Sequence, residues 1–366
     1  MLVILTANLR KIIMDLMIKI NVFAQLGNFL QQFASNQKTP ENQHLNELFY
    51  DEMEQLILRQ KSLNGWFTEN NVRKALGEIS LMLSEKALTD WVKNYPMATS
   101  SKRIGVIMAG NIPAVGFHDF LCVLLANHVF VGKCSSSDNT LIKKIAEILI
   151  HIHPEFKEKI VFTEQFNKNT PADAFIATGS NNSARYFDYY FGKFPSIIRK
   201  NRNSVAVING KETKEDFEQL GNDIFSYFGL GCRNVSKLYV PQNYDFTSFF
   251  EGIFPYGAVA ENNKYANNYD YHKAIYLLNS EALLDNNFVL LKEDTSLTSP
   301  VGVLFYEKYT NLEQLTKELQ QKQDEIQCVV SQTTLSLPTI NFGKAQSPKL
   351  TDYADGVDTM AFLTQL

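Results

Sequence analysis

Hydrophobic spacing divides the chain into two textures. Residues 45–57 carry Leu45, Leu48, Phe49, Met53, Leu56 and Ile57, an apolar stripe at helical spacing. A second helix is predicted after Thr68, through Val72, Leu76 and Ile79. From Arg103 onward short apolar runs alternate with helical patterns. IGVIMAG (104–110) reads as a buried strand, 113–126 as a helix and HVFVGK (128–133) as a strand. A helix at 140–152, strands at 160–162 and 174–177, a helix from Ser180 and a strand SVAVI (204–208) continue the series. A second stretch starts at Thr213 with a helix to about Gly229, then a strand at 237–240. GVLFY (302–306), a helix near 311–323 and CVVS (328–331) complete it. Strands alternating with helices predict βαβ units around largely parallel sheets, an α/β fold. The turn at Asn209–Gly210 sets the expected boundaries: 1–208, 209–340 and a C-terminal segment 341–366.

The first thirty residues are apolar, but Arg10, Lys11, Asp15 and Lys19 interrupt them. No stretch of about 20 residues there suits a bilayer, and the order of a secretory signal is absent. No membrane span is expected. Translation is expected to begin at Met14 or Met17; the alternative is a short amphipathic helix.

The net charge of −4 argues against a general nucleic-acid binder, because no basic excess exists to neutralise phosphates. Cysteines 122, 134, 232 and 328 form no CxxC or Cys/His cluster, so neither a disulfide framework nor a metal site is expected. Reduced thiols in a cytoplasmic enzyme fit better. His118, His128, His151 and His153 lack ligand spacing and read as packing or surface residues.

Cys232 has the most informative setting, FGLGCRNVSKLYVP (228–241). Glycines 229 and 231 permit close approach of backbone and substrate, and Arg233 can favour a thiolate. By itself this fits a small buried cysteine equally well.

GCRNVSKLYVP resembles the catalytic-cysteine segment of the aldehyde dehydrogenase superfamily. IGVIMAGNIPAVGFHDFLCVLLANHVFVGKCSSSD (104–138) resembles its first cofactor-binding stretch, with Asn-x-Pro, a helix ending in Ala-x-Asn and a strand ending in lysine. ATGS (177–180) resembles its third element. The matches run in order over about 18–240. INFGKAQSPKLTDYADGVDTMAFL (340–363) and the short chain resemble the acyl-CoA reductase branch, related to the fatty-acid reductase component of bacterial luminescence systems.

The resemblance implies two α/β domains with Rossmann-like parallel sheets. It makes Cys232 the nucleophile and Asn111 an oxyanion-hole donor, a role worth about 3–4 kcal/mol. On turn chemistry alone Asn111 is a residue preceding a helix. Lys133 is implied at the adenosine ribose, and Gly179 and Ser180 at the pyrophosphate. Many NAD-preferring relatives carry a glutamate at the position of Ser136, within Ser135-Ser136-Ser137. A serine does not repel a 2′-phosphate, so NADPH is expected, with NADH as the alternative. The serine run also reads as a polar loop capping a helix near Asp138.

Two departures matter. In IIRKNRNSVAVI (197–208), Arg199 stands where aldehyde oxidisers have the general-base glutamate that activates water. The glutamate expected at the nicotinamide ribose falls at Ser296, with Glu293 and Asp294 out of register. The expected activity is therefore NADPH-dependent reduction of a long-chain acyl thioester, on coenzyme A or an acyl carrier protein, to a fatty aldehyde. Alternatives are aldehyde oxidation, or a non-reducing acyl-carrier or acyltransferase subunit. Aromatic stretches 186–191 and 225–228 are either an acyl channel or core. The resemblance further implies a homo-oligomer, to which the C-terminal segment contributes or from which it returns to the cofactor domain, and an acyl-protein synthetase or transferase as partner.

Overall fold

The computed structural model describes residues 2–96, 98, 100–167, 171–179 and 181–366. Two compact units form: Met1–Lys200 with Lys349–Leu366, and Asn201–Pro348.

The first unit is built on a parallel sheet of β1 (Arg103–Ile107), β2 (Val129–Lys133), β3 (Ile160–Phe162), β4 (Ala174–Thr178) and β5 (Ser196–Arg199), in the order β3-β2-β1-β4-β5. Ile104, Val106, Phe130, Ala174 and Ile176 are fully buried, as strands covered on both faces require. The helices of the unit are α1 (Leu2–Ser35), α2 (Asp51–Leu63), α3 (Glu69–Met82), α4 (Glu85–Val92), α5 (Phe117–Leu125), α6 (Leu141–Ile152), α7 (Asn181–Phe191) and, from the C-terminal segment, α12 (Thr359–Thr364). α1 runs much further than the short helix expected. Phe23, Leu26, Leu30 and Phe33 recur every three or four residues along it and are completely buried. Among the described residues no helix is long and apolar enough to cross a membrane.

The C-terminal segment is tied into this unit by polar contacts as well as by Met360 and Leu363. Trp91 Nε1 donates to Tyr353 Oη at 2.8 Å, and Tyr95 Oη to Asp358 Oδ2 at 2.8 Å. His118 Nε2 lies 3.0 Å from Leu350 O, and His128 Nε2 2.8 Å from Leu363 O. The carbonyls can only accept, so both rings carry their proton on Nε2.

The second unit holds β6 (Asn203–Val207), β7 (Val235–Pro241), β8 (Leu284–Asp285), β9 (Leu290–Glu293), β10 (Val303–Tyr309) and β11 (Ile326–Val330). Their order is β11-β6-β7-β10-β9-β8, parallel except for β8. Its helices are α8 (Lys214–Phe225), α9 (Thr247–Ile253), α10 (Asn263–Leu278) and α11 (Leu312–Gln321). The boundary falls at Lys200–Asn201, not at the expected 208–209, because β6 pairs with β7 and β11. The turn at Asn209–Gly210 is instead the link from β6 to α8. Glu212 accepts from both backbone amides there, and Gly210 has φ +86°. The expected C-terminal segment is likewise divided, 341–348 clustering with the second unit.

Candidate active site

In the first unit β2 and β3 lie to one side of β1, and β4 and β5 to the other. Strand order therefore reverses between β1 and β4, and such a switch point opens a crevice at the carboxyl ends of the strands. Asn111 follows β1 and is exposed; Lys133 ends β2; Ser135 and the exposed Ser136 follow it; Gly179 follows β4. The structure thus brings these five to one edge of one sheet. Ser180 lies outside the described residues.

The β1 and β2 loops are braced against each other. Asp138 is buried, and its Oδ2 accepts from Ala114 N at 2.7 Å. Burial pushes that carboxyl's pKa up, while backbone amides pull it down. A Cβ on Gly110 would sit 2.6 Å from Ser135 Oγ, so only glycine admits Ser135 at this distance. Ser135 Oγ also accepts from Ser137 N at 3.2 Å, which commits this hydroxyl to the turn. Ser136 faces solvent instead. The backbone of Lys133 accepts from Met108 N at 3.0 Å, but its side chain makes no hydrogen bond or ion pair among the described residues, so its ammonium is available to an anion.

Arg199, at the end of β5, is only 5% exposed. Its guanidinium forks onto Asp119 of α5, Nη1 to Oδ2 at 2.5 Å and Nη2 to Oδ1 at 2.8 Å. Nη2 also donates to Thr359 Oγ1 at 2.9 Å. Burial disfavours its charge, but Asp119 outweighs that and holds the pKa above its ordinary value. This group is a fixed cation locking α5, β5 and α12. It can neither accept a proton nor swing out as a base.

Cys232 lies in the second unit, between α8 and β7, and is exposed. The chain reaches it through three successive residues of positive φ: Tyr227 (52°), Phe228 (58°) and Gly229 (77°). Left-handed backbone costs a non-glycine residue roughly 1–2 kcal/mol, so two aromatics there store strain. Asn234, buried, offsets it. Its amide nitrogen donates to the carbonyls of Asp223 (3.0 Å) and Ser226 (2.8 Å), and its Oδ1 accepts from Gly231 N at 2.8 Å. The fully buried Asp223 carboxylate accepts from Gly343 N (2.7 Å) and Ala345 N (3.0 Å), and Arg233 Nε donates to Ala345 O. The cysteine thus sits on a strained turn held on several sides. Nothing in sequence spacing singled out Asp223 or Asn234; an asparagine two residues after the cysteine was the sole available signal.

Other expectations resolve individually. Asp294 is paired with Lys292 at 2.7 Å, which brings its pKa down to about 2, and Glu293 is paired with Lys308 at 2.8 Å. Both carboxylates are thus committed to lysines of the second unit. Tyr186, Tyr189 and Tyr190 are exposed on α7, whereas Phe191 of the same stretch stacks on the buried Phe175 with ring centroids 4.1 Å apart. Phe225 and Phe228 are buried, and with Val235, Tyr265, Pro300 and Val303 they line a small pocket that is open to solvent. Among the described residues no group of three or more His, Cys, Asp or Glu could hold a metal.

No family model matches the chain, and no curated protein sequence is similar to it. Solved structures do share its fold. An aldehyde dehydrogenase from Mycobacterium tuberculosis, complexed with NAD+, superposes with a TM-score of 0.59 at 14% identity, over 88% of this chain and 74% of that one. Aldehyde dehydrogenase KauB from Pseudomonas aeruginosa gives 0.61 at 10% identity, over 87% and 72%. Aldehyde dehydrogenase 21 from Physcomitrella patens, solved with the reaction product succinate, gives 0.59 at 14% identity, over 86% and 74%. The fold is aldehyde-dehydrogenase-like.

Proposed function

We propose that this protein is a nicotinamide-dependent reductase of acyl thioesters, with Cys232 as the nucleophile. The observation that carries the reading is Arg199. In the register of the resemblance it replaces a general base, and its guanidinium is buried and locked onto Asp119. An acyl group on Cys232 then has no carboxylate at that position to activate water, and transfer to a thiol or reduction is favoured over hydrolysis.

The first unit fits a dinucleotide. A switch-point crevice, an uncommitted lysine at the end of β2, a glycine opening α7 and an exposed serine where a carboxylate would exclude a 2′-phosphate are the elements such a cofactor needs. Lys133 and Ser136 would hold the adenosine ribose and its phosphate, with Gly179 and Ser180 at the pyrophosphate. When bound, a reduced nicotinamide supplies a hydride to the acyl carbon.

The chain's own residues do the rest. The Cys232 thiolate adds to the thioester carbonyl of an acyl-CoA or acyl carrier protein, and the carrier thiolate leaves, so a sulfur–carbon bond forms as another breaks. After hydride addition the thiohemiacetal oxyanion collapses, releasing aldehyde and regenerating the Cys232 thiolate. The resemblance assigns the charge on that oxygen to the Asn111 amide and the Cys232 backbone N–H. Long-chain acyl groups, a homo-oligomer, an acyl-protein synthetase or transferase partner and a cytoplasmic location belong to the same proposal.

Steady-state assay with a series of acyl-CoAs and NADPH, with the product aldehyde trapped and identified, tests the reaction class. Aldehyde formation is expected. Free fatty acid from an aldehyde and NADP+, at a faster rate than aldehyde from acyl-CoA, would reverse the assignment.

A further inference from the structure

The carbonyl of Cys232 is held by a two-residue relay in the second sheet, of a buried serine and a half-buried cysteine. Ser204 of β6 is completely buried, and its Oγ lies 3.0 Å from Cys232 O and 2.9 Å from Cys328 Sγ, on β11. A hydroxyl has one proton, and a carbonyl can only accept. The Ser204 proton therefore goes to Cys232 O, and the Cys328 thiol donates to Ser204 Oγ. The direction Cys328 S–H to Ser204 O–H to Cys232 C=O is thus fixed.

The strands are irregular at both members. The register of β6 against β7 shifts between Ser204 and Val205, and that of β11 against β6 shifts between Ile326 and Val329, around Cys328. Such bulges re-aim side chains that regular strands would point elsewhere. Ser236 Oγ, on β7, donates to Leu297 O at 2.7 Å and lies 3.4 Å from Ser204 O. On the other side of the cysteine, Asn234 N donates to Gly231 O at 3.0 Å. Each peptide flanking Cys232 therefore has its own clamp, and the relay is the one on the carbonyl side.

We propose that Ser204, oriented by the Cys328 thiol, is a positioning residue for the reaction of Cys232, a proposal that rests on the acyl-transfer reading above. It acts through the peptide plane that follows the nucleophile and touches no substrate atom itself. In this relay Cys328 reaches the Cys232 carbonyl through Ser204. It must be a protonated thiol to do so, since a thiolate would draw the serine proton away from Cys232 O.

The test compares Ser204→Ala, Ser204→Thr, Cys328→Ala, Cys328→Ser and the double alanine variant in the full chain. The readout is the single-turnover rate of Cys232 acylation by decanoyl-CoA, together with KM. Misplacing a reacting atom by a fraction of an ångström costs of order tenfold. Ser204→Ala is expected to slow acylation about tenfold with KM little changed, and Cys328→Ala by a smaller factor. Ser204→Thr and Cys328→Ser retain hydroxyl donors and recover most of the rate. Because the thiol acts through the serine, the double variant matches Ser204→Ala alone.

Wild-type rates in Ser204→Ala, or a double variant whose loss is the product of the single losses, overturn the relay. If Ser204→Ala fails to fold, the Cys328→Ala and Cys328→Ser pair decides it. If wild-type Cys232 takes no acyl group, the functional reading fails separately. Peptide-resolved iodoacetamide alkylation of Cys232 then tests the relay. The two donor-retaining variants group with wild type and the alanine variants apart if it holds, and all rates coincide if it does not.

Discussion

Asp119→Ala removes one half of the Asp119–Arg199 pair and isolates the guanidinium. Both side chains are nearly inaccessible, 6% exposed for Arg199 and 7% for Asp119, so water cannot take the place of the lost carboxylate. Arg199 Nη2 keeps Thr359 Oγ1 as a partner, but a neutral hydroxyl does not balance a charge. Breaking a buried pair from one side typically costs about 3–5 kcal/mol. For a unit of this size each kcal/mol moves the midpoint roughly 2–4 °C, which gives a fall of about 6–20 °C. Calorimetry of the full-length protein reads this directly. The double variant Asp119→Leu/Arg199→Met, which removes both charges and keeps the volume, should recover most of the loss. A shift under 2 °C in Asp119→Ala would mean that Arg199 is not a locked structural cation. The main support for a missing hydrolytic base would then be gone.

Lowering the pH should destabilise the first unit. Burial holds both His118 and His128 below the ordinary histidine value of 6.5. The unfolded chain thus binds more protons between the folded and unfolded values, and stability falls as pH drops below about 6.5. Denaturant midpoints at pH 7.5 and 5.5 should show this, with a smaller difference in His128→Gln; equal differences would oppose it. Gly302 has φ +82°, and a Cβ there would lie 2.8 Å from Tyr269 Cα, so Gly302→Ala should cost about 2 kcal/mol or more, measurable by urea unfolding. Ser136→Glu should reduce kcat/KM for NADPH at least tenfold by repulsion of the 2′-phosphate while leaving NADH within about threefold, and equal losses for both would remove Ser136 from the ribose.

Local pattern was enough where a strand or helix carries its own signature. β1, β2, α6 and β4 were legible because apolar runs there end on small residues or on turn residues. The four-residue β5 gave no such signal, with Phe194 and Pro195 just before it and Arg199 closing it. The unit boundary was misplaced because what assigns β6 to the second sheet is its pairing with β7 and with β11, more than a hundred residues later. Likewise Arg199 drew notice only through the resemblance, and its partners Asp119 and Thr359 lie 80 and 160 residues away. Cys232 stood out through its glycines. Ser204 and Cys328 did not, since a serine and a cysteine inside apolar strands look like ordinary core positions until register shifts bring them together.

The central claim is that Cys232 carries an acyl thioester destined for reduction. Purified protein is incubated with radiolabelled decanoyl-CoA, quenched with and without hydroxylamine, and mapped by peptide, and NADPH is then added to a parallel sample. The account predicts a hydroxylamine-sensitive label on the Cys232 peptide that is absent in Cys232→Ala and leaves as decanal when NADPH is supplied. A label that persists in Cys232→Ala, or one that departs as decanoic acid at the same rate without NADPH, would contradict it.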